Sequence, residues 1–344
     1  MPPIVGIIAN PVSARDIRRV IANASSLQIT DRANIVLRVL ASLKACGIEQ
    51  VLMMPEKGGI RGHVERTLMR SATMDPGHFP RLAYVEMPLR GTVEDTHVAS
   101  AAMVKAGVAA IIVLGGDGTH RAVVAHCGTV PIAGISTGTN NAFPEHREPT
   151  ITGLAVGLAA TQQVPKSVAL FANKRIDVTI RADDEPEQRD IALVDAAIVT
   201  ERYVGARALW RIETFRELYV TFADPEVIGM SAIAGLLEPV SRTEPGGLMV
   251  ELTPIAGAPH VLRAPIAPGM TLPVGVAHWR RLPAGEVCVP ATPAGSIALD
   301  GEREITFDEK HRVEVSIAND AFSTIDVAAV MQYAAKHGLL RKTE

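Results

Sequence analysis

Ala109-Ala110-Ile111-Ile112-Val113-Leu114-Gly115-Gly116-Asp117-Gly118-Thr119 sets an unbroken apolar run directly against three glycines and one carboxylate. The run predicts a strand buried on both faces, as the strands of a parallel sheet are. The glycines allow positive φ and let backbone N–H groups approach an anion with no Cβ in the way. Residues 120–127 then read as a helix, with Gly128 as a left-handed cap. Strand, glycine turn and helix N-terminus together predict a phosphate cradle built from Gly115, Gly116, Gly118 and Thr119. Asp117 adds a hard oxygen suited to Mg²⁺, or a proton acceptor, at its mouth. The plainer alternative is a tight βα turn whose Asp caps the helix.

Residues 4–9 form a first strand, broken by Asn10-Pro11-Val12-Ser13-Ala14. A helix over 30–46 follows, then strands at 50–54 and 82–86. Thr92-Val93-Glu94-Asp95 reads as an N-cap with an acid at the third helical position, opening a helix that stops at Gly107. Residues 130–135 make one more strand, which runs into Ser136-Thr137-Gly138-Thr139-Asn140-Asn141. Strands alternating with helices imply right-handed βαβ units and a doubly wound parallel sheet. The ligand of such a sheet sits beyond the C-terminal strand ends, where these loops gather.

After residue 149 the pattern changes. Residues 175–180 alternate strictly, as a half-solvated antiparallel strand does. Residues 183–186 read as a turn to a partner strand at 191–199. Leu209, Ile212, Phe215, Leu218 and Tyr219 fall at helical spacing, so a helix is expected over 206–222. Further short strands, up to 312–317, predict a C-terminal β-rich sandwich domain. The expected division is an α/β domain over 1–147 and a sandwich-like domain over 148–322 with one helical insertion. A last helix within 323–344 is expected to rejoin the first domain.

With 344 residues the chain is long enough for about two substantial cores. The net charge of −3 argues against binding nucleic acid through bulk electrostatics. No apolar stretch reaches transmembrane length. Cys46, Cys127 and Cys288 are scattered without metal-ligand or disulfide spacing, as thiols of a reducing cytoplasm are. Gly134-Ile135-Ser136-Thr137-Gly138 matches a hydrolase nucleophile elbow, but Pro144 and Pro149 disrupt the long helix that elbow needs.

Gly115-Gly116-Asp117-Gly118-Thr119 resembles the signature of the superfamily joining NAD kinases and diacylglycerol-type lipid kinases. Three further segments share the resemblance. Asn10-Pro11-Val12-Ser13-Ala14 is similar to an Asn-Pro-x-Ser-Gly segment of the lipid kinases. Thr137-Gly138-Thr139-Asn140-Asn141-Ala142-Phe143 is similar to their Gly-Thr-x-Asn-Asp-Phe loop. Leu299-Asp300-Gly301-Glu302 is similar to their Asp-Gly-Glu turn. The combination most resembles the acetoin-catabolism protein X branch, described as ATP-NAD kinase-like.

The resemblance implies ATP and Mg²⁺ as cofactors and NAD(H) as the leading acceptor, with transfer to a hydroxyl. It implies catalytic roles for Asp117, also the metal ligand, and Glu302. Asn10, Ser13, Gly115, Gly116, Gly118, Thr119, Thr137, Gly138, Thr139, Asn140 and Asn141 would hold nucleotide and phosphate. Asp195 and Asp300 would contact the acceptor. Val194 stands where NAD kinases carry an Asn that reads adenosine. A kinase of a small diol or lipid, and a nucleotide-binding regulator without turnover, are the alternatives. The resembled families also imply a homo-oligomer.

Overall fold

The computed structural model describes residues 2–11, 27–138, 141–201, 212–301 and 303–341. Ser13, Thr139, Asn140 and Glu302 therefore lie outside the described residues, as does the first part of the helix expected over 206–222.

The N-terminal part alternates strands β1 (Ile4–Ala9), β2 (Gln50–Met53), β3 (Arg81–Tyr84), β4 (Ala110–Gly115) and β5 (Ile132–Ser136) with four helices. These are α1 (Ile29–Ala45), α2 (Ile60–Met74), α3 (Val93–Lys105) and α4 (Asp117–Val124). Parallel pairing gives the order β3-β2-β1-β4-β5. Every residue of β4 is buried. Ala110, Ile112 and Leu114 enter one core with α1, while Ile111 and Val113 enter another with Met103 of α3 and Val123 of α4. A period of two with both faces covered produces the continuous apolar run read in the sequence.

Helix α5 (Pro149–Ala160) begins just after the expected junction at 147/148 and packs on α1 within the first of these cores. Helix α6 (Lys166–Ala169) leads to the hairpin β6 (Leu170–Ala182) and β7 (Glu185–Ala192). The chain then crosses to a second sheet at β8 (Asp195–Val199), which is followed by β9 (Phe215–Val220). A short helix α7 (Ser231–Gly235) precedes β10 (Gly247–Thr253), β11 (His260–Ala267), β12 (Met270–Leu282), β13 (Gly295–Leu299) and β14 (Arg303–Phe307). The long strand β15 (Arg312–Ile325) returns to the first sheet before the final helix α8 (Val327–His337).

Among the described residues the first sheet thus has eight strands, β3-β2-β1-β4-β5-β15-β6-β7, and the second has seven, β11-β12-β10-β9-β8-β13-β14. The antiparallel end of the first sheet packs on the second. Ile176, Val178, Val315 and Ile317 meet Ala196, Ile198, Tyr219 and Leu299 in a shared core. The sandwich therefore forms, and one of its two sheets is continuous with the parallel sheet.

Three expectations are corrected. Residues 215–220 form β9, not a helix: Leu218 and Val220 enter one core and Tyr219 another. A strand covered on both faces leaves an apolar run that helical periodicity also fits. The partner strand expected at 191–199 is split, because β7 ends at Ala192 and β8 belongs to the other sheet. The last helix starts only at Val327, since β15 continues to Ile325 and pairs with β6. Val327, Val330 and Ala334 then enter the α1 core.

Two glycines give opposite stability expectations. Gly62 lies exposed inside α2, with open space where a Cβ would stand, whereas a Cβ on Gly247 would sit 2.0 Å from the Val220 carbonyl oxygen. Gly62→Ala should raise unfolding free energy by about 0.5–1 kcal/mol. Gly247→Ala should lower it by about 2 kcal/mol or more. Urea unfolding of the two variants checks both signs.

Candidate active site

The strand order reverses between β1 and β4, the switch point at which an open α/β sheet offers its crevice. A side-chain bond spans that point, with Asn10 Nδ2 donating to Thr119 Oγ1 at 3.2 Å. The Asn10 N–H donates to the Leu114 carbonyl at 3.2 Å, and buried Arg32 donates from Nη1 to the Asn10 carbonyl. The residue after β1 is therefore tied to β4, α4 and α1 at once.

The glycine turn is closed around its neighbours. A Cβ on Gly115 would stand 2.5 Å from Thr119 Cβ, and one on Gly116 would stand 2.7 Å from Asn141 Oδ1. Glycine is required here by close approach. Gly116 is the N-cap of α4, with Asp117 at the first helical position. The helix begins three residues before the expected 120, because the turn itself takes helical form. The Asp117 carboxylate accepts the N–H of Ala142 (3.0 Å, Oδ2) and of Phe143 (2.9 Å, Oδ1). It thereby anchors the loop after β5. In that loop Thr137 N–H donates to the Gly115 carbonyl at 3.3 Å. Asn141 Nδ2 donates to Ser136 Oγ at 2.9 Å, and Ser136 Oγ donates to the Gly138 carbonyl at 3.5 Å.

Beyond the strand ends lies a cleft of about 1590 Å³ lined by Asn10, Gly118 and Thr119. Its walls carry Lys57, Arg121, Arg175 and Arg189 together with Glu56, Asp95, Asp177 and Asp190. Most of these acids are already engaged. Glu56 accepts the N–H groups of Gly58 and Arg61, and Asp95 those of Arg90 and Gly91 at 2.9 and 2.7 Å. Asp95, not the Thr92 hydroxyl, thus caps the approach to α3. Asp177 pairs with Arg175 Nε at 2.7 Å, and Asp190 lies 3.7 Å from Arg121 Nη1.

Asp300 and Asp195 are not among the lining residues, although Arg121, which is, reaches Asp300. The Asp300 carboxylate accepts the N–H of Leu193, Val194 (2.8 Å) and Asp195 (3.3 Å), where the chain passes between sheets. Its own N–H donates to the Asp195 carbonyl at 2.9 Å. Arg121 Nε lies 3.7 Å from its Oδ2, so Arg121 stands between Asp190 and Asp300. Burial raises the Asp300 pKa, against the opposing pull of Arg121 and the three amides. Val194 is buried in the apolar core beneath.

Arg121 and His120 were not singled out from the sequence. Arg121 had a signal there, since it follows Asp117 by four residues and shares its helical face. His120 is fully buried beside Phe143, and its Nδ1 donates to the Gly116 carbonyl at 2.8 Å. Among the described residues no three His, Cys, Asp or Glu side chains gather as a metal cage. Cys46, Cys127 and Cys288 are buried free thiols, and no described helix is long and apolar enough to cross a membrane.

Residues 5–162 match the model of the ATP-NAD kinase N-terminal domain, and residues 174–320 that of the acetoin catabolism protein X C-terminal domain. Over 339 residues the chain is 57% identical to acetoin catabolism protein X of Cupriavidus necator, covering 98% of this chain and 94% of that protein. Among solved structures, yeast NADH kinase complexed with NADH is similar at 12% identity and a TM-score of 0.48, covering 100% of this chain and 90% of that one.

Burial lowers the His120 pKa to about 4. The unfolded chain then binds the extra proton between pH 6.5 and 4, so stability is full above about 6.5 and falls as pH drops toward 4. The loss should reach about 3 kcal/mol. Urea midpoints at pH 7 and 4.5 should differ less in His120→Gln than in the unmodified chain.

Proposed function

This chain belongs to the acetoin catabolism protein X family, and on that premise we propose that it is an ATP- and Mg²⁺-dependent kinase transferring phosphate to an acceptor hydroxyl. NAD(H) is the leading acceptor, with NADP(H) as product. The observation that carries the reading is the Asn10–Thr119 bond across the switch point, where Gly118 and Thr119 of the glycine turn border a cleft whose walls carry both cations and acids. Phosphoryl transfer is mostly positioning and charge neutralisation, and this is the equipment it needs. Backbone N–H groups at the head of α4 would face phosphate oxygens, and Lys57, Arg121, Arg175 and Arg189 would balance their charge.

Asp117 would act on the attacking hydroxyl as base, or hold Mg²⁺. Its bonds to Ala142 and Phe143 fix the carboxylate in place. Mg²⁺ commonly rests on one or two carboxylates plus phosphate oxygens, so the donor set fits an ion that arrives with ATP. Bound there, the ion would neutralise developing charge on the transferred group. The protein residues orient the acceptor and exclude water around it. Glu302 would be a second acid of the site. The free thiols agree with a cytoplasmic location.

Buried Val194 offers no side-chain hydrogen bond to adenosine, which keeps a small diol or a lipid as alternative acceptors. A second reading, a nucleotide-binding regulator without turnover, is favoured by the engagement of both Asp117 oxygens with amides.

ADP release with Mg²⁺-ATP should be stimulated by NAD or NADH more than by diacylglycerol or butanediols. Asp117→Asn should retain nucleotide binding by calorimetry and lose on the order of 100-fold or more in kcat. Near-full turnover in that variant would remove Asp117 from the chemistry. Tight binding with no release under any acceptor would leave the regulator.

A further inference from the structure

One peptide group lies between the site carboxylate and a cation from the second half of the chain. The N–H of Phe143 donates to Asp117 Oδ1 at 2.9 Å, and the carbonyl of the same peptide, that of Ala142, accepts from Arg242 Nη2 at 2.5 Å. A carboxylate and a guanidinium on opposite ends of one amide polarise it, and each hydrogen bond strengthens the other. Asp117 is thereby coupled to a residue 125 positions away in sequence (242 minus 117).

Arg242 is held for this task from several directions. Its guanidinium stands 4.1 Å over the Phe222 ring and 5.4 Å from the Phe143 ring, both buried. It projects from a strap before β10 that is fastened at each end. Buried Lys174 of β6 donates to the carbonyls of Ser241 (3.1 Å) and Glu244 (2.7 Å). The Glu244 carboxylate accepts the Ser241 N–H at 2.8 Å and Arg281 Nη1 at 3.2 Å. Gly246 N–H donates to Asn319 Oδ1 at 3.0 Å, anchoring the strap to β15. Burial lowers the Arg242 pKa, while Glu145, Asp117 and Asp224 favour its charged form. An arginine stays protonated under such opposition.

We infer that Arg242 is a positioning residue for phosphoryl transfer, acting on Asp117 through the Ala142–Phe143 peptide and tying the site to the second sheet. The inference rests on the kinase reading above. Arg242 fixes where the carboxylate stands, and the strap fixes where Arg242 stands. The strap leading into β10 is therefore coupled to Asp117 through one amide, alongside the Arg121–Asp300 pair that reaches the same helix.

The test compares Arg242→Met, of similar reach without charge, with Arg242→Lys, which keeps the charge and loses the planar fork. Steady-state ADP release and amide exchange at Phe143 are read for each. Arg242→Met should lower kcat on the order of 100-fold with KM for ATP changed less than roughly threefold, as misplacement of a reacting group does. Arg242→Lys should recover part of the loss. Phe143 exchange should quicken in Arg242→Met while that of β4 stays unchanged. A folded Arg242→Met with unchanged kcat and unchanged Phe143 exchange would overturn the inference. So would a rise in KM for ATP at unchanged kcat. If Arg242→Met does not fold, Arg242→Lys decides, its kcat falling at constant KM or not. Should the unmodified chain release no ADP with any acceptor, the kinase reading fails, and Phe143 exchange still shows whether Arg242 holds the peptide.

Discussion

A carboxylate with no access to water decides how the two sheets of this protein meet. Asp300 accepts the amides of Leu193, Val194 and Asp195, the residues at which the chain leaves β7 and enters β8. A crossing between sheets leaves backbone N–H groups without a ladder partner, and burial makes such groups costly unless another acceptor is found. Asp300 supplies that acceptor from the β13–β14 turn. Its charge is answered by Arg121 on the helix that follows the glycine turn. Removing Arg121 would leave the buried Asp300 charge without its cation, the costly half of a buried ion pair. The same acid thus closes the sandwich and sets the back of the helix that carries Asp117.

The site follows from this arrangement. Helix α4 is fixed along its length: Gly116 and Asp117 meet the loop after β5, Thr119 meets Asn10, and Arg121 lies beside Asp300 and Asp190. A cradle for a phosphate needs its donors in place before the ligand comes, because reorganisation on binding is paid from affinity. The charged groups on the cleft walls differ in how they are held. Glu56 and Asp95 serve backbone amides, while Arg175 and Arg121 face carboxylates of β6 and β7. The parallel sheet therefore supplies the Asn10 and α4 part of the cleft, and the antiparallel hairpin supplies much of the rest of its wall.

Much of the parallel half was legible in residue order. The apolar run before Gly115 could be read as a doubly covered strand because each of its alternate residues has a core to enter. The glycine turn was legible because close approach admits no side chain. The antiparallel half was less so. Leu218, Tyr219 and Val220 match a helical stripe, yet they form a strand between two cores, and periodicity cannot separate the two in a short apolar run. Asp300 and Asp195 were recognisable as a pair of acids. That one accepts the amide of the other was not recognisable, since the partners are 105 residues apart.

By itself the sequence determined the local chemistry of this protein: where the parallel strands and the glycine turn fall, which loops end those strands, and which acids and hydroxyls those loops carry. These depend on neighbours within a few residues, through steric limits on φ and ψ and through side-chain periodicity. Tertiary structure alone decided that Asp117 clamps the Ala142 and Phe143 amides, that Arg242 grips the other side of that peptide, and that the sandwich shares a sheet with the strand before the glycine turn. Those outcomes turn on satisfying buried polar groups across long separations, and no local pattern records which distant group will do so.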